Sequence, residues 1–120
     1  MDVRKAAEAA RDYLVSIRRE FHQHPELSMQ EFRTAQRIEE ELDRLGIPHT
    51  RVGETGVLGT LRGEKEGGRA VVLRADIDAL PIEETHECAH RSQNPGVMHA
   101  CGHDAHAACL LGGAKILAEH

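Results

Sequence analysis

The chain has 120 residues, enough for one compact domain or for part of a larger one. Its formal net charge of -5 at pH 7 argues against nucleic acid as a default partner, because a phosphate binder needs a basic face, and no apolar run approaches the roughly 20 residues that cross a bilayer. With no Trp, one Tyr and two Phe, a core has to come from Leu, Ile, Val and Ala, at a length where the surface that can be buried is already marginal.

The first six residues carry charges with no apolar segment behind them, so they do not read as a secretory signal. Ala6, Ala10, Tyr13, Leu14, Ile17 and Phe21 recur at steps of three and four and predict an amphipathic helix over residues 2–21. Pro25 breaks it by disfavouring helix at His24. A second helix is expected from Ser28, where Ser28 and Glu31 have capping-box spacing. Its apolar face would be Met29, Phe32, Ala35, Ile38, Leu42 and Leu45, with Gly46 as a left-handed cap and Pro48 as a stop. Residues 50–52 and 56–61 read as strands, and the charged, Gly-rich residues 62–68 as a hairpin loop. The apolar run 70–74 has the look of a strand covered on both faces. Residues 76–96 are polar, carry Pro81 and Pro95, and predict a long loop of the kind that often holds a site. A third helix is expected from Asp104 through Ala105, Ala108, Leu111, Ala114 and Leu117, with Cys109 on its apolar side. It is still in phase at His120 without a stop signal, so a continuation of the chain is expected.

The chemistry concentrates in residues 98–106, where His99, Cys101, His103 and His106 fall within eight positions. Thiolate and imidazole suit zinc, and this donor mixture also admits manganese, cobalt or nickel. Gly102 lets the backbone fold tightly enough for Cys101 and His103 to point at one centre, and Asp104 could cap the helix that follows. A lone His is usually a solvated loop residue and a lone Cys a small buried one; the density of this cluster favours metal. A second cluster, Asp76 and Asp78, follows the apolar run. Two carboxylates at a strand end could bind a cation, orient a ligand histidine or cap a turn, with Arg74 as a pairing partner. His22, His24 and Glu26 around Pro25 read as a helix-connecting turn. Cys88, His86 and His90 lie in the polar loop and are not read as ligands. The three cysteines form no framework, which fits a reduced, cytoplasmic setting.

Three segments together resemble one family. These are residues 18–28 (RREFHQHPELS), residues 73–81 (LRADIDALP) and residues 94–104 (NPGVMHACGHD). The chain is similar in all three, in order and over nearly its whole length, to the metal-dependent amidohydrolases that include hippurate hydrolase, N-acyl-L-amino-acid amidohydrolases and auxin-conjugate hydrolases. The resemblance implies an α/β fold. Residues 1–120 would form the N-terminal part of a zinc-peptidase-like catalytic domain, a mixed sheet flanked by helices, with the lid or dimerisation domain absent and the full-length form a homo-oligomer. It implies a centre of two divalent metal ions, zinc or manganese with cobalt or nickel as alternatives. Cys101 and His103 match ligand positions and Asp78 matches an orienting aspartate. Asp76 falls where distant relatives carry a ligand histidine, which leaves its role open. The family's glutamate base lies downstream of the Cys-Gly-His-Asp segment and is absent here; Glu83 and Glu84 precede that segment and do not match it. The implied reaction is hydrolysis of the amide bond of a small N-acyl amino acid. Two other readings stay open: an inactive chain that only binds metal, and a thiol hydrolase with Cys101 as nucleophile.

Overall fold

A computed structural model describes all 120 residues. The element order is α1 (Val3–Ala9), α2 (Arg11–Gln23), α3 (Phe32–Arg44), β1 (His49–Val52), β2 (Gly56–Gly59) and α4 (His103–Glu119). The expected first helix is two, because the chain bends at Ala10, which ends α1 and opens α2. Asp2 caps α1 by accepting from the Lys5 N–H.

The second helix starts four residues later than the capping-box spacing implies. Ser28 does not cap it, and Glu31 instead accepts from the Met29 N–H at 2.9 Å. The free N–H groups of α3 are met from outside the helix. Glu26 takes the Arg33 N–H at 3.2 Å, the Thr34 N–H at 2.6 Å and the Thr34 hydroxyl at 2.7 Å. A carboxylate at that end also meets the positive pole of the helix. Met29 and Phe32, placed on the apolar face by periodicity, are exposed, whereas Ala35 and Leu42 are buried. Gly46 ends the helix with φ 70°, and the Ile47 N–H reaches back to the Leu42 carbonyl at 2.9 Å.

The α/β class is as expected, and the sheet itself is a single antiparallel hairpin. Its register pairs His49 with Gly59 and Val52 with Gly56. The hairpin turn is therefore at residues 53–55, not at 62–68. The run 70–74 pairs with nothing, and Val71, Val72 and Leu73 are exposed. A strand needs neighbours to hydrogen-bond and to cover its faces, and this chain offers that run none.

The core lies between α2 and α4, closed by α3 and the hairpin. Ile17 and Phe21 meet Ala107, Ala108 and Leu111, while Leu42 and Ile47 complete the cluster. Gly112 sits at the crossing, where a Cβ would lie 2.8 Å from Leu14 Cγ; the absence of that carbon lets the two helices approach. Cys109 faces solvent rather than the core. Two long-range bridges then fold the loop back. Leu27 pairs with Ala79, and Leu80 pairs with Met98 through hydrogen bonds of 2.9 and 3.0 Å. The second bridge lays residue 78 beside the loop that enters α4.

Glu41 is the deepest charge in α3, 1% exposed beneath Arg37 and Arg44. Burial raises its carboxyl, but the two guanidinium groups outweigh burial and hold it below the ordinary glutamate range. Its contribution to stability is thus complete above the unfolded value near 4.3 and is lost as pH falls through the lower folded value. Glu41→Gln is expected to lower stability at pH 7 by about 2 kcal/mol, reduced from the fully buried case because both arginines are partly exposed. In denaturant titrations the gap to wild type should close below about pH 4.3; a gap that persists at acid pH would refute the assignment. Glu26→Ala should cost about 1–2 kcal/mol through the lost cap of α3, read as a fall in Tm without a new oligomeric state.

Candidate metal centre

The loop 98–102 delivers Cys101 and His103 to the start of α4. Gly102 takes φ 110° as the residue before the helix, a conformation that a side chain would strain, and this turns the backbone between the two candidate ligands. Cys101 is exposed and His103 half-buried.

Asp78 reaches His103 across the Leu80–Met98 bridge. The His103 Nδ1–H donates to Asp78 Oδ1 at 2.9 Å and lies 3.0 Å from the Asp78 carbonyl oxygen. A hydrogen on Nδ1 leaves the lone pair on Nε2, and no protein hydrogen bond uses that nitrogen. This is the arrangement that sets an imidazole to bind a cation through Nε2 while a carboxylate fixes its ring. The donor chemistry of Cys101 and His103 therefore fits a divalent metal. Nowhere do three His, Cys, Asp or Glu side chains converge tightly enough to hold an ion, so these two do not make a complete site by themselves.

His99, in the same loop, is 5% exposed, and both of its ring nitrogens are shut off from solvent without a hydrogen-bond partner. Burial pushes its pKa below the usual histidine value, against the pull of Asp104. It is a neutral ring with unmet hydrogen-bonding capacity close to the candidate ligands.

The other candidates disperse. Asp76 is exposed and pairs with Arg74 at 2.7 Å. His24 is half-buried, its pKa lowered by burial and by Arg33. His86 is exposed. His106 is exposed too, its ring centroid 6.1 Å from that of His103. Glu83 is exposed and accepts from the Gly96 N–H.

Sequence reading missed a buried polar cluster. His22, read as part of a turn, is 4% exposed, and its Nδ1–H donates to Asp104 Oδ2 at 2.9 Å. Its Nε2–H faces the two oxygens of Glu84 at 3.0 and 3.1 Å. Arg18, one turn earlier, places Nε 2.9 Å from the same Asp104 oxygen. Burial raises the Glu84 carboxyl, but the Ser92 N–H at 2.8 Å, His22 and Arg91 outweigh it and hold it low. The one available signal was Arg18 and His22 at i, i+4 on a helix; their acidic partners lie 62 and 82 residues on from His22.

The structure thus holds a carboxylate-oriented histidine and an exposed thiol on a glycine turn that enters a helix, two donor types that suit a divalent metal, within an α/β fold. The profile of Peptidase family M20/M25/M40 matches residues 72–120, the stretch that carries all three of these residues. The chain is 50% identical over 111 residues to thermostable carboxypeptidase 2 of Saccharolobus solfataricus, covering 91% of this chain and 28% of that protein. It is 44% identical over 119 residues to an N-acyl-L-amino acid amidohydrolase of Geobacillus stearothermophilus, covering 98% of this chain and 32% of that one. Among solved structures it superimposes on Bacillus subtilis YXEP, a dinuclear metal-binding peptidase, with TM-score 0.87 and 41% identity, over 93% of this chain and 32% of that one. The family match and the M20-family Bacillus structure together mark the chain as similar to Peptidase family M20/M25/M40. It spans about a third or less of the length of these relatives.

Asp78→Asn keeps the shape of the side chain and removes its charge. It is expected to weaken Co(II) or Zn(II) binding by about tenfold, whereas Cys101→Ala should remove the thiolate-to-Co(II) absorption altogether. Equal binding by wild type and both variants in calorimetry would exclude this pair as the site.

Proposed function

We propose that this chain is the ligand-bearing N-terminal portion of the catalytic domain of an amidohydrolase that cleaves small N-acyl amino acids. The observation that carries it is the Asp78–His103 hydrogen bond, which leaves Nε2 without a protein partner two residues from Cys101 in the chain. The names of the relatives support the reaction class: one acts on N-acyl-L-amino acids, and another is called an N-acetyl-L-cysteine deacetylase. The dinuclear centre of the similar Bacillus structure supports two divalent ions, zinc or manganese first. No helix is long and apolar enough to cross a membrane, and three free cysteines fit a reducing, cytoplasmic setting.

When bound, the metal ions would acidify a water and polarise the amide carbonyl. The residues of this chain would do the holding. The Cys101 sulfur and His103 Nε2 supply two donors, and Asp78 keeps the His103 hydrogen on Nδ1 so that the other nitrogen stays available. Nothing here is placed to act as general base. Glu84 is taken up by His22 and Ser92, and Glu83 by the Gly96 N–H. The remaining ligands and the base would come from residues outside the 120. A thiol mechanism finds less support, because His103 turns Nδ1 to Asp78 and not to the Cys101 sulfur.

The test is a chimera in which this chain replaces the aligned segment of the Geobacillus amidohydrolase. With added Mn(II) or Zn(II) it should hydrolyse N-acetyl amino acids, and Cys101→Ala or His103→Ala should lower kcat/KM at least a hundredfold, an effect of about 2.7 kcal/mol. The 120-residue chain alone should bind metal without turnover. A folded chimera that binds metal but hydrolyses no acyl amino acid would refute the proposal.

A further inference from the structure

A buried polar cluster lies one residue away from the candidate ligands and includes neither of them. His22, in the last turn of α2, stands between Asp104 and Glu84, and all three are at most 4% exposed. A carboxylate only accepts, so the ring serves both partners by donating from both nitrogens. Arg18 adds a guanidinium on the Asp104 side, which also reaches His90 Nε2 at 3.4 Å. The cluster therefore sets an imidazole and a guanidinium against two carboxylates.

Its geometry matters more than its charge. Asp104 is the residue after His103 and opens the first turn of α4. Glu84 lies six residues beyond Asp78 on the loop that carries the orienting carboxylate. The two residues whose separation decides the aim of His103, Asp78 and His103 themselves, thus sit on two segments that His22 ties to a single helix. The Leu80–Met98 bridge sets their height, and it is a backbone contact between loops. The His22 clamp fixes how far apart the segments stand.

We propose that His22 is a positioning residue for the metal centre, acting through Asp104 and Glu84 to hold Asp78 at hydrogen-bond distance from His103 Nδ1. The proposal rests on the reading of Cys101 and His103 as ligands, and its test separates the two.

Two readouts decide it, both on the 120-residue chain. The first needs no metal: the hydrogen-bonded Nδ1 proton of His103 and the ring nitrogen shifts that report which nitrogen carries it, followed by NMR in the apo protein. The second is Co(II) affinity with its thiolate absorption. The variants are His22→Phe, which fills the space without donors, and His22→Gln, which keeps one hydrogen bond. Glu41→Gln serves as the control, since it weakens a buried ion cluster in α3 that has no part in the site. The expected result is that both His22 variants lose or broaden the His103 Nδ1 proton and bind Co(II) about tenfold or more weakly, while Glu41→Gln lowers Tm and leaves both readouts at wild-type values. His22 variants that lose stability as the control does, yet keep the His103 signal and the Co(II) affinity, would overturn the proposal. If His22→Phe does not fold, His22→Gln decides by the same two readouts. If the wild type shows no Cys101-dependent Co(II) binding, the ligand reading fails on its own; the His103 proton then still decides the clamp, its loss in the variants supporting it and its persistence refuting it.

Discussion

The contact between α2 and α4 is what the rest of the molecule depends on. Its apolar half is small: Ile17, Phe21, Ala107, Ala108 and Leu111 are the buried residues of the two helices, and Leu14 fits over Gly112 because no Cβ stands in the way. At the end where α4 begins, the same helix pair turns polar, with Arg18 and His22 facing Asp104. The apolar half holds the helices together. The polar end decides where the first turn of α4 lies, and the candidate ligand His103 is part of that turn.

The turn after α2 does a second job. Residues 23–27, with only Pro25 fully buried among them, anchor three other segments. The Gln23 carbonyl takes the Gln93 N–H, the Pro25 carbonyl takes the Asn94 amide, and the Glu26 carbonyl takes the Ala79 N–H at 2.8 Å. The Glu26 side chain caps α3 at the same time. A long polar loop with almost no strand of its own is thereby stitched to a fixed point, which is how residues 78–104 can hold a defined geometry at the surface of a small domain.

These features were unequally legible in the sequence. The helices were readable because their signals are local: an apolar residue every three or four positions, a glycine cap at Gly46, a proline after it. The candidate ligand pair stands out for a similar reason, since Cys101, Gly102 and His103 are adjacent. Asp78 was legible through the resemblance of residues 73–81 and through its place after an apolar run. Local signals failed where the deciding partner was distant. Ser28 and Glu31 had capping spacing, but Glu26 reaches the free N–H groups of α3 first. Residues 70–74 have strand composition and no strand to pair with, because the worth of a strand lies in its neighbours. Cys109 obeyed the helical period yet fell on the solvent side, where only the packing angle of α4 could have placed it. His22 looked like a turn histidine because Glu84 and Asp104 are 62 and 82 residues away.

The choice of a charged clamp at the start of α4, in place of an apolar contact, has a physical logic. Replacing a buried ion cluster by apolar residues of similar volume often leaves stability unchanged or raises it, so such a cluster is a weak argument for stability alone. What it does provide is direction. Apolar side chains tolerate sliding and repacking at modest cost, whereas an imidazole between two carboxylates has one distance and one plane at which both hydrogen bonds form. A ligand histidine needs that kind of definition, because a shift of the first turn of α4 would carry His103 away from Asp78 and free its ring to rotate. In a chain with so few large apolar residues, shape complementarity alone could not set the position. The polar cluster sits next to the candidate ligands because that is where direction, more than adhesion, is required.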